Sequence, residues 1–595
     1  MKNFIQDGKC LFGIVIPEKC NKDIREAANE LVYAVTECCG TAPKVYTDGA
    51  NPRSYCVHLG DTALSKSLGL KPSLEETGID GFKIAVKEDN VFICAYASEG
   101  VIYGVYKFLE KTIGAEFFGY DEYVIPKCET AELPQEEIME KPDIDTRVRE
   151  VCYTIYDTKT ERRWGFNTSN GREWVTWAHT HFNLIPKDKF WFTHRDFYSP
   201  DGTQLCLSNL ALVPEMVKSV TARLTPERFE KSDVLFVMVG HEDVNTFCNC
   251  PRCEEQKKKY GGNSGVMMRF INAVADGVNA FVTEKYPDKI VKIITFGYGQ
   301  TLLAPVTENE NGAFSPADES VVAHKNVGVM LAPLGSDWAH SLVDKKYNEK
   351  TRTALLGWQA VKPELFIWTY DGIFDDSFIY MDNFARLSES YRIFYGCGAT
   401  YLYDEGHQER GYPFLDMRSY IRGKLMWDLD ADIDELIARF MKSYYKQAGD
   451  ALFTYYQNLR AHFKGVEKEF EEKNIPYTQR SFVRAQRYYR EKEFWDRGFL
   501  EENIRLLETC RAQLFDEGKN GALNRLEIEM LSPIYVLLEI YAQELSNSQV
   551  KYYADFFERV TTRNCIYYYG EHGSKDALHL TKKFVVWRSL LLREE

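Results

Sequence analysis

Between residues 146 and 427 the chain passes repeatedly from a short apolar run to a longer stretch with helical spacing, and this alternation most limits its fold. Eight candidate strands can be read: Arg147–Thr154, Trp174–Trp177, Gln204–Leu207, Val234–Val239, Lys292–Phe296, Val327–Leu331, Leu365–Trp368 and Thr400–Tyr403. Continuously apolar strands are buried on both faces, as happens when helices cover the outside of a parallel sheet. Eight strand–helix units are the number that closes a barrel. The predicted fold class is α/β. A (β/α)8 TIM-type barrel over 146–427 follows a small α/β domain over 1–140 and precedes a C-terminal α-helical domain over 428–595.

The flanking segments carry their own signals. Asn21 starts a helix with Ile24, Ala28, Leu31, Val32 and Val35 on one face, ended by Gly40. Ser54–Gly60 reads as a strand. Gly81–Val86 and Val91–Tyr96 flank Asp89-Asn90 as a hairpin. Ser98 is expected to cap a helix over Val101–Thr112, closed by Gly114. The Pro-containing acidic stretch 126–145 reads as a linker. Beyond 428, Ile433, Leu436, Ile437, Phe440 and Met441 make one helical face, and Leu531, Ile534, Leu537, Leu538 and Ile540 part of another.

The strand ends are where a barrel does its chemistry, because the loops there build the pocket. The most informative is Val234-Leu-Phe-Val-Met-Val-Gly-His-Glu-Asp243, a buried strand that runs into a histidine and two carboxylates. Glycosidic bond cleavage needs a carboxylic acid to protonate the leaving oxygen, and a second group as nucleophile, base or holder of the substrate's own acetamide. Glu242 and Asp243, with Asp404 and Glu405 at the last strand, are the candidate catalytic carboxylates. Adjacent strand residues point opposite ways, so both members of a pair face a substrate only if the chain bends, as Gly240 would allow. Candidate substrate contacts are His179, His181, Asn209, His241, Tyr298, Asp337, Trp368, Tyr370 and Asp371. Trp368 and Tyr370 would form a stacking wall, and the two spaced histidines would meet hydroxyls or a carboxylate.

Composition points the same way. Aromatic residues make up 14% of the chain, and their rings suit the apolar faces of sugars. A net charge of −15 with no dense basic patch argues against nucleic acid as partner. No run approaches a membrane span, and the N-terminus has no apolar stretch, so a cytoplasmic protein is expected, or a secreted one whose leader has been removed. Carbohydrate is the expected partner, and a homo-oligomer is compatible with the sequence. Fifteen cysteines, several in apolar runs (Cys94, Cys152, Cys206), fit free buried thiols in a reducing compartment. Cys248, Cys250 and Cys253 have metal-like spacing, but three thiolates fall one short of a structural zinc site. No cofactor is expected, with structural zinc the exception. The cysteines are not expected to open a helix after a strand, which speaks against a thioredoxin-like role. No phosphate-binding glycine loop is present: Gly297-Tyr-Gly299 and Gly396-Cys-Gly398 are too short.

The segment Phe236-Val-Met-Val-Gly-His-Glu-Asp-Val-Asn-Thr-Phe-Cys-Asn-Cys-Pro-Arg-Cys253 resembles the signature of domain of unknown function 4838, a glycoside-hydrolase-like family common in gut bacteria. His181–Pro186, Gln204–Asn209, Trp368-Thr-Tyr370 and Arg418–Asp428 are similar as well. Gly81–Phe118 is similar to the α/β domain that precedes the barrel in β-N-acetylhexosaminidases and α-glucuronidases. The resemblance covers roughly residues 1–460. It implies an exo-acting glycoside hydrolase removing a terminal N-acetylhexosamine or uronic acid. Family-20 hexosaminidases carry an adjacent Asp-Glu at the fourth strand, with Glu as acid and Asp orienting the acetamide. Here the order is Glu-Asp, and the closer family points first to Asp243. The rival expectations are a barrel that binds carbohydrate without turnover and a metal-dependent hydrolase built on the cysteine loop.

Overall fold

The computed structural model describes residues 3–50, 55–119, 122–151, 158–168, 171–338, 340–374, 376–406, 410–473, 491–570 and 579–592. The N-terminal part is a six-stranded sheet built from β1 (Gly13–Ile16), β2 (Val45–Thr47), β3 (Cys56–Leu59), β4 (Phe82–Lys87), β5 (Asn90–Ala95) and β6 (Ile138–Glu140), in the order β6-β4-β5-β3-β1-β2. Two helices cover it. Lys22–Cys39 (α1) is capped by the Asn21 side chain, which accepts from the Ile24 amide, and ends at Gly40 with φ 75°. Ser98–Ile113 (α2) starts without a side-chain cap: Ser98 is its first helical residue rather than its cap, and its hydroxyl donates to Asp23. The β4–β5 hairpin turns through Glu88 and Asp89, at φ 49° and 69°, one residue before the pair expected from sequence. Two consecutive left-handed residues match the twist of the flanking strands. The segment read as a linker contains β6, which extends this sheet on the β4 edge.

Seven parallel strands form the curled sheet of a TIM-type barrel: β7 (Thr146–Glu150), β8 (Trp174–Thr176), β9 (Val234–Met238), β10 (Ile290–Gly297), β11 (Val327–Leu331), β12 (Glu364–Asp371) and β13 (Ala399–Gly406). Their order is β8-β9-β10-β11-β12-β13-β7. One expected strand is absent. Gln204–Leu207 is not a strand but a buried loop with one bridge, Tyr198 to Leu205. The end of the first run, 152–154, lies outside the described residues. No β7–β8 pairing is present among the described residues. Rings close that side instead: Trp174 meets Tyr401 with centroids 6.0 Å apart, and Trp177 meets Tyr403 at 5.2 Å. Val148, Phe236, Met238, Ile294, Phe296, Met330, Phe366, Tyr401 and Tyr403 fill the interior.

Outside the strands pack α3 (His181–Leu184), α4 (Leu212–Thr221), α5 (Pro251–Tyr260), α6 (Asn263–Lys285), α7 (Lys345–Val361), α8 (Leu387–Gly396) and α9 (Leu415–Trp427). The chain beyond them is helical, from α10 (Ile433–Tyr444) onward, with Leu436, Ile437, Phe440 and Met441 buried as their spacing requires. Leu531–Tyr541 is apolar nearly all round and buried on almost every side. No helix among the described residues is long and apolar enough to cross a membrane.

One polar feature interrupts the packing between strands and helices. Arg149 of β7, Asp371 of β12, Asp404 of β13 and Arg418 and Arg422 of α9 are essentially inaccessible to solvent. Asp371 takes ion pairs from Arg149 at 2.7 Å and from Arg418 and Arg422 at 2.8 Å. Asp404 pairs with Arg149 and with Arg422 at 2.9 Å, and accepts from the Thr369 hydroxyl at 2.7 Å. Burial alone would push the Asp371 carboxyl up, but Arg422, Arg418 and Arg149 hold it well below the usual carboxylate range. Its stabilising effect is therefore complete above the unfolded-state value of about 3.9 and is lost only as pH falls below that. Removing one partner of a buried pair leaves uncompensated charge at a cost of about 3–5 kcal/mol. Asp371→Ala should lose about that much stability in urea unfolding at pH 7, and a loss under about 1 kcal/mol, typical of an exposed pair, would contradict this role.

Candidate functional site

The interior-facing residues of β12, β13 and β7 are Phe366 and Trp368, Tyr401 and Tyr403, and Val148. Two residues on from each last member, the alternation of a strand brings Tyr370, Glu405 and Glu150 to the same face at the carboxyl end. Register sets them in a row, with Glu150 opposite Glu405 and Glu405 opposite Tyr370. Neighbouring strands lie about 4.8 Å apart, so two carboxylate-bearing residues share one rim. Both are half-buried. The Trp368 indole N–H donates to Glu405 Oε2 at 2.7 Å, an interaction that stabilises the anion. A side chain at Gly406 would meet Val151 Cγ1 at 2.6 Å, so glycine is what lets β13 and β7 run this close at the rim.

Aromatic rings form the adjoining wall. Trp177 stacks on Trp368 with centroids 5.8 Å apart and planes 21° apart, and Trp368 meets Tyr403 at 4.2 Å. Both tryptophans are partly exposed. Beyond Trp177 the backbone turns through Ala178 in a left-handed conformation, φ 61°, which non-glycine residues hold at a cost of roughly 1–3 kcal/mol. Next comes His179, half-buried, its ring 5.0 Å from Phe296 and its Nδ1 donating to the His241 carbonyl at 2.5 Å. Tyr298 stacks on His241 and donates its hydroxyl to Asp243 Oδ1 at 3.2 Å. Asp243 itself is exposed.

Glu242 and Asp243 part company, as adjacent residues should. Glu242 Oε1 accepts from the Phe182 amide at 2.8 Å, satisfying a free donor at the start of α3, while its backbone makes two hydrogen bonds with the Gln204 side chain, at 2.8 and 3.1 Å. Gly240 is tight for a different reason from the bend expected: a Cβ there would meet the Ala178 carbonyl at 2.5 Å.

Other candidates are held in the framework. Asp404 and Asp371 turn outward into the arginine network described above. Asn209 is buried and donates to Asp196, at 3.0 Å to its carbonyl and 2.8 Å to its carboxylate. Asp337 is buried, its amide donating to Asn348 Oδ1 at 2.8 Å and its carboxylate facing His340. His241 is buried, with Nε2 3.2 Å from the Thr301 hydroxyl. His181 does not share a face with His179. It is buried in α3 with neither ring nitrogen hydrogen-bonded among the described residues.

Glu150 and Trp177 are the residues that sequence reasoning did not place at the site. Their signal was parity: on β13 an inward Tyr401 and Tyr403 dictate an inward Glu405, and β7 pairs with it in step.

The cysteine cluster gains a member. Cys206, in the loop misread as a strand, brings its Sγ to 3.6 Å from Cys250 and 3.8 Å from Cys253, and the four sulfurs of Cys206, Cys248, Cys250 and Cys253 lie within 4.8 Å of one another. Contrary to the sequence expectation these cysteines do open a helix: Cys250 is the N-cap of α5 and Pro251 its first residue. A cavity of about 460 Å³ lies elsewhere, between the N-terminal sheet and α9, lined by Tyr103, Lys107, Glu116 and Arg439 and by none of the rim residues.

The family model named domain of unknown function (DUF4838) matches residues 117–457, more than half of the chain. The chain belongs to this family. A second model, glycosyl hydrolase family 67 N-terminus, matches residues 7–108. Among solved structures, a glycoside hydrolase family 115 4-O-methyl-α-glucuronidase with specificity for decorated arabinogalactans is 11% identical, covers 94% of this chain and 77% of its own, and has a TM-score of 0.53. A family 138 enzyme targeting pectin rhamnogalacturonan II is 9% identical over 98% of both chains, with a TM-score of 0.44. A β-N-acetylhexosaminidase from Bacteroides fragilis is 11% identical over 75% of this chain and 92% of its own, with a TM-score of 0.39. At such identity the likeness to the first shows a shared fold. No curated protein matches the sequence.

His181 supplies a test of the local electrostatics. Burial, reinforced by His241 and His179, brings its pKa down to about 3. The unfolded chain takes up a proton below about 6.5 while the folded chain does not, so this group costs stability as pH falls from there toward 3. Wild-type protein should lose about 2 kcal/mol from this group between pH 6.5 and 5, and His181→Leu should flatten that part of the urea-unfolding profile. An unchanged slope would contradict a neutral buried His181.

Proposed function

We propose that this protein is a glycoside hydrolase whose catalytic carboxylates are Glu405 and Glu150. The observation that carries this reading is their paired register on neighbouring strands at the carboxyl end of the barrel, with the Trp368 indole N–H on Glu405. Glu405, the carboxylate stabilised as an anion, serves as nucleophile or base, and Glu150 as the acid that protonates the leaving oxygen. Trp177 and Trp368 give the sugar an apolar face to stack on, and the side chains at the mouth, His179 through Nε2 and the Asp243–Tyr298 pair, meet its hydroxyls or carboxylate. Carboxyl groups about 5 Å apart act by retention, and adjacent in-register strands favour that spacing.

The enzyme is exo-acting, on a terminal uronic acid in preference to an N-acetylhexosamine. The fold shared with a 4-O-methyl-α-glucuronidase supports the uronic acid.

A panel of aryl uronides and N-acetylhexosaminides should yield release from one sugar, reduced about 100-fold or more in Glu405→Gln, the size of an acid–base or nucleophile loss. Asp243→Asn should cost about 10-fold, within the range of a substrate hydrogen bond to a charged group. Quenching of tryptophan fluorescence by a sugar that is never hydrolysed would instead establish a binding barrel without turnover.

A further inference from the structure

We infer that Cys206, Cys248, Cys250 and Cys253 form a tetrahedral zinc site that clamps two rim loops together. Bonds of about 2.3 Å from a central zinc to four thiolates place the sulfurs about 3.8 Å apart. Cys206 sits 3.6 and 3.8 Å from two of its partners, and all four ligand atoms fall within 4.8 Å of one another. Disulfides would bring the sulfurs together in pairs at about 2.05 Å. Here the four are gathered about one point.

The surroundings suit a dianionic tetrathiolate complex. Cys206, Cys248 and Cys253 are buried and Cys250 partly so, which keeps water from a fifth position. The N-terminus of α5, ten residues long with Cys250 at its N-cap position and Cys253 in its first turn, puts the positive end of its dipole beside the thiolates. Arg252 Nη2 lies 3.9 Å from Cys206 Sγ, and Ser208 Oγ 3.0 Å from Cys253 Sγ. Four protein ligands leave no open position, so the metal is structural and not a Lewis acid for substrate.

What it holds follows from the connections. One ligand comes from the loop after Tyr198 and three from the segment after β9. That segment has no regular secondary structure between His241 and Cys250. Gln204 lies two residues before Cys206 and holds the Glu242 backbone, while the Thr203 and Thr246 hydroxyls meet at 2.7 Å. Zinc would thus fix the loop that carries Asp243, where backbone hydrogen bonds are too few to do so. This inference stands whether or not the barrel is a glycosidase.

The test is metal content and coordination of the full chain purified under reducing conditions after growth with added zinc. Near one zinc per chain is expected, and replacement by cobalt(II) should give a thiolate-to-cobalt charge-transfer band with the intense visible absorption of a tetrahedral site. Chelation should lower the unfolding temperature. Cys206→Ser should lose the metal while Cys397→Ser, a buried thiol elsewhere, keeps it. Should Cys206→Ser fail to fold, the wild-type stoichiometry and cobalt spectrum decide. Only traces of zinc in the wild type, or a cobalt complex without thiolate bands, would overturn the inference.

Discussion

The arrangement of this barrel depends on a buried ionic lattice outside it. Arg149, Asp371 and Asp404 leave their strands on the outer face and meet Arg418 and Arg422 of α9, all shielded from water. Charges so placed tolerate no slip, because a one-residue shift would turn every one of them into the apolar interior. The same parity fixes the inner face. With Arg149 and Asp404 outward, Glu150 and Glu405 must face inward, side by side. The network contributes specificity of register, and the rim's geometry is its consequence.

The rest of the mouth is secured by other means. On the β8 side, where hydrogen-bonded pairing is missing among the described residues, Trp174 and Trp177 pack across the interior onto Tyr401 and Tyr403. Beyond β9 the chain is irregular and is tied by side chains: Glu242 to the start of α3, Gln204 to the Glu242 backbone, and the four sulfurs to one another. A packed aromatic interior under a rim of loops and strand ends positions polar groups without exposing the core.

Much of this was legible in the sequence. Seven of the eight apolar runs are strands, since fully apolar, β-branched segments have few other stable states. Gln204–Leu207 misled because Leu205, Cys206 and Leu207 are buried for another reason: they pack a loop and deliver a thiol. For the same reason the zinc count stopped at three, as nothing local marks Cys206 as a partner of cysteines far along the chain. Asp404 and Glu405 are equal candidates by composition, and only parity counted from Tyr401 and Tyr403 separates them. Glu150 was missed because the run was read on to Thr154, which put Glu150 in mid-strand, whereas the strand ends at Glu150 itself. Asp371 ends its strand and Asn209 follows an apolar run, where functional residues are looked for, yet both serve the framework, a distinction that needs partners in space.

We propose that Glu150 and Glu405 work as one unit. The decisive comparison is kcat/KM of Glu150→Gln, Glu405→Gln and the double variant on the best uronide. Groups that act together are non-additive, so the double variant should be no slower than the slower single one, within about threefold. Losses that multiply, or a Glu150→Gln enzyme as fast as wild type, would show that the two carboxylates do not share the reaction.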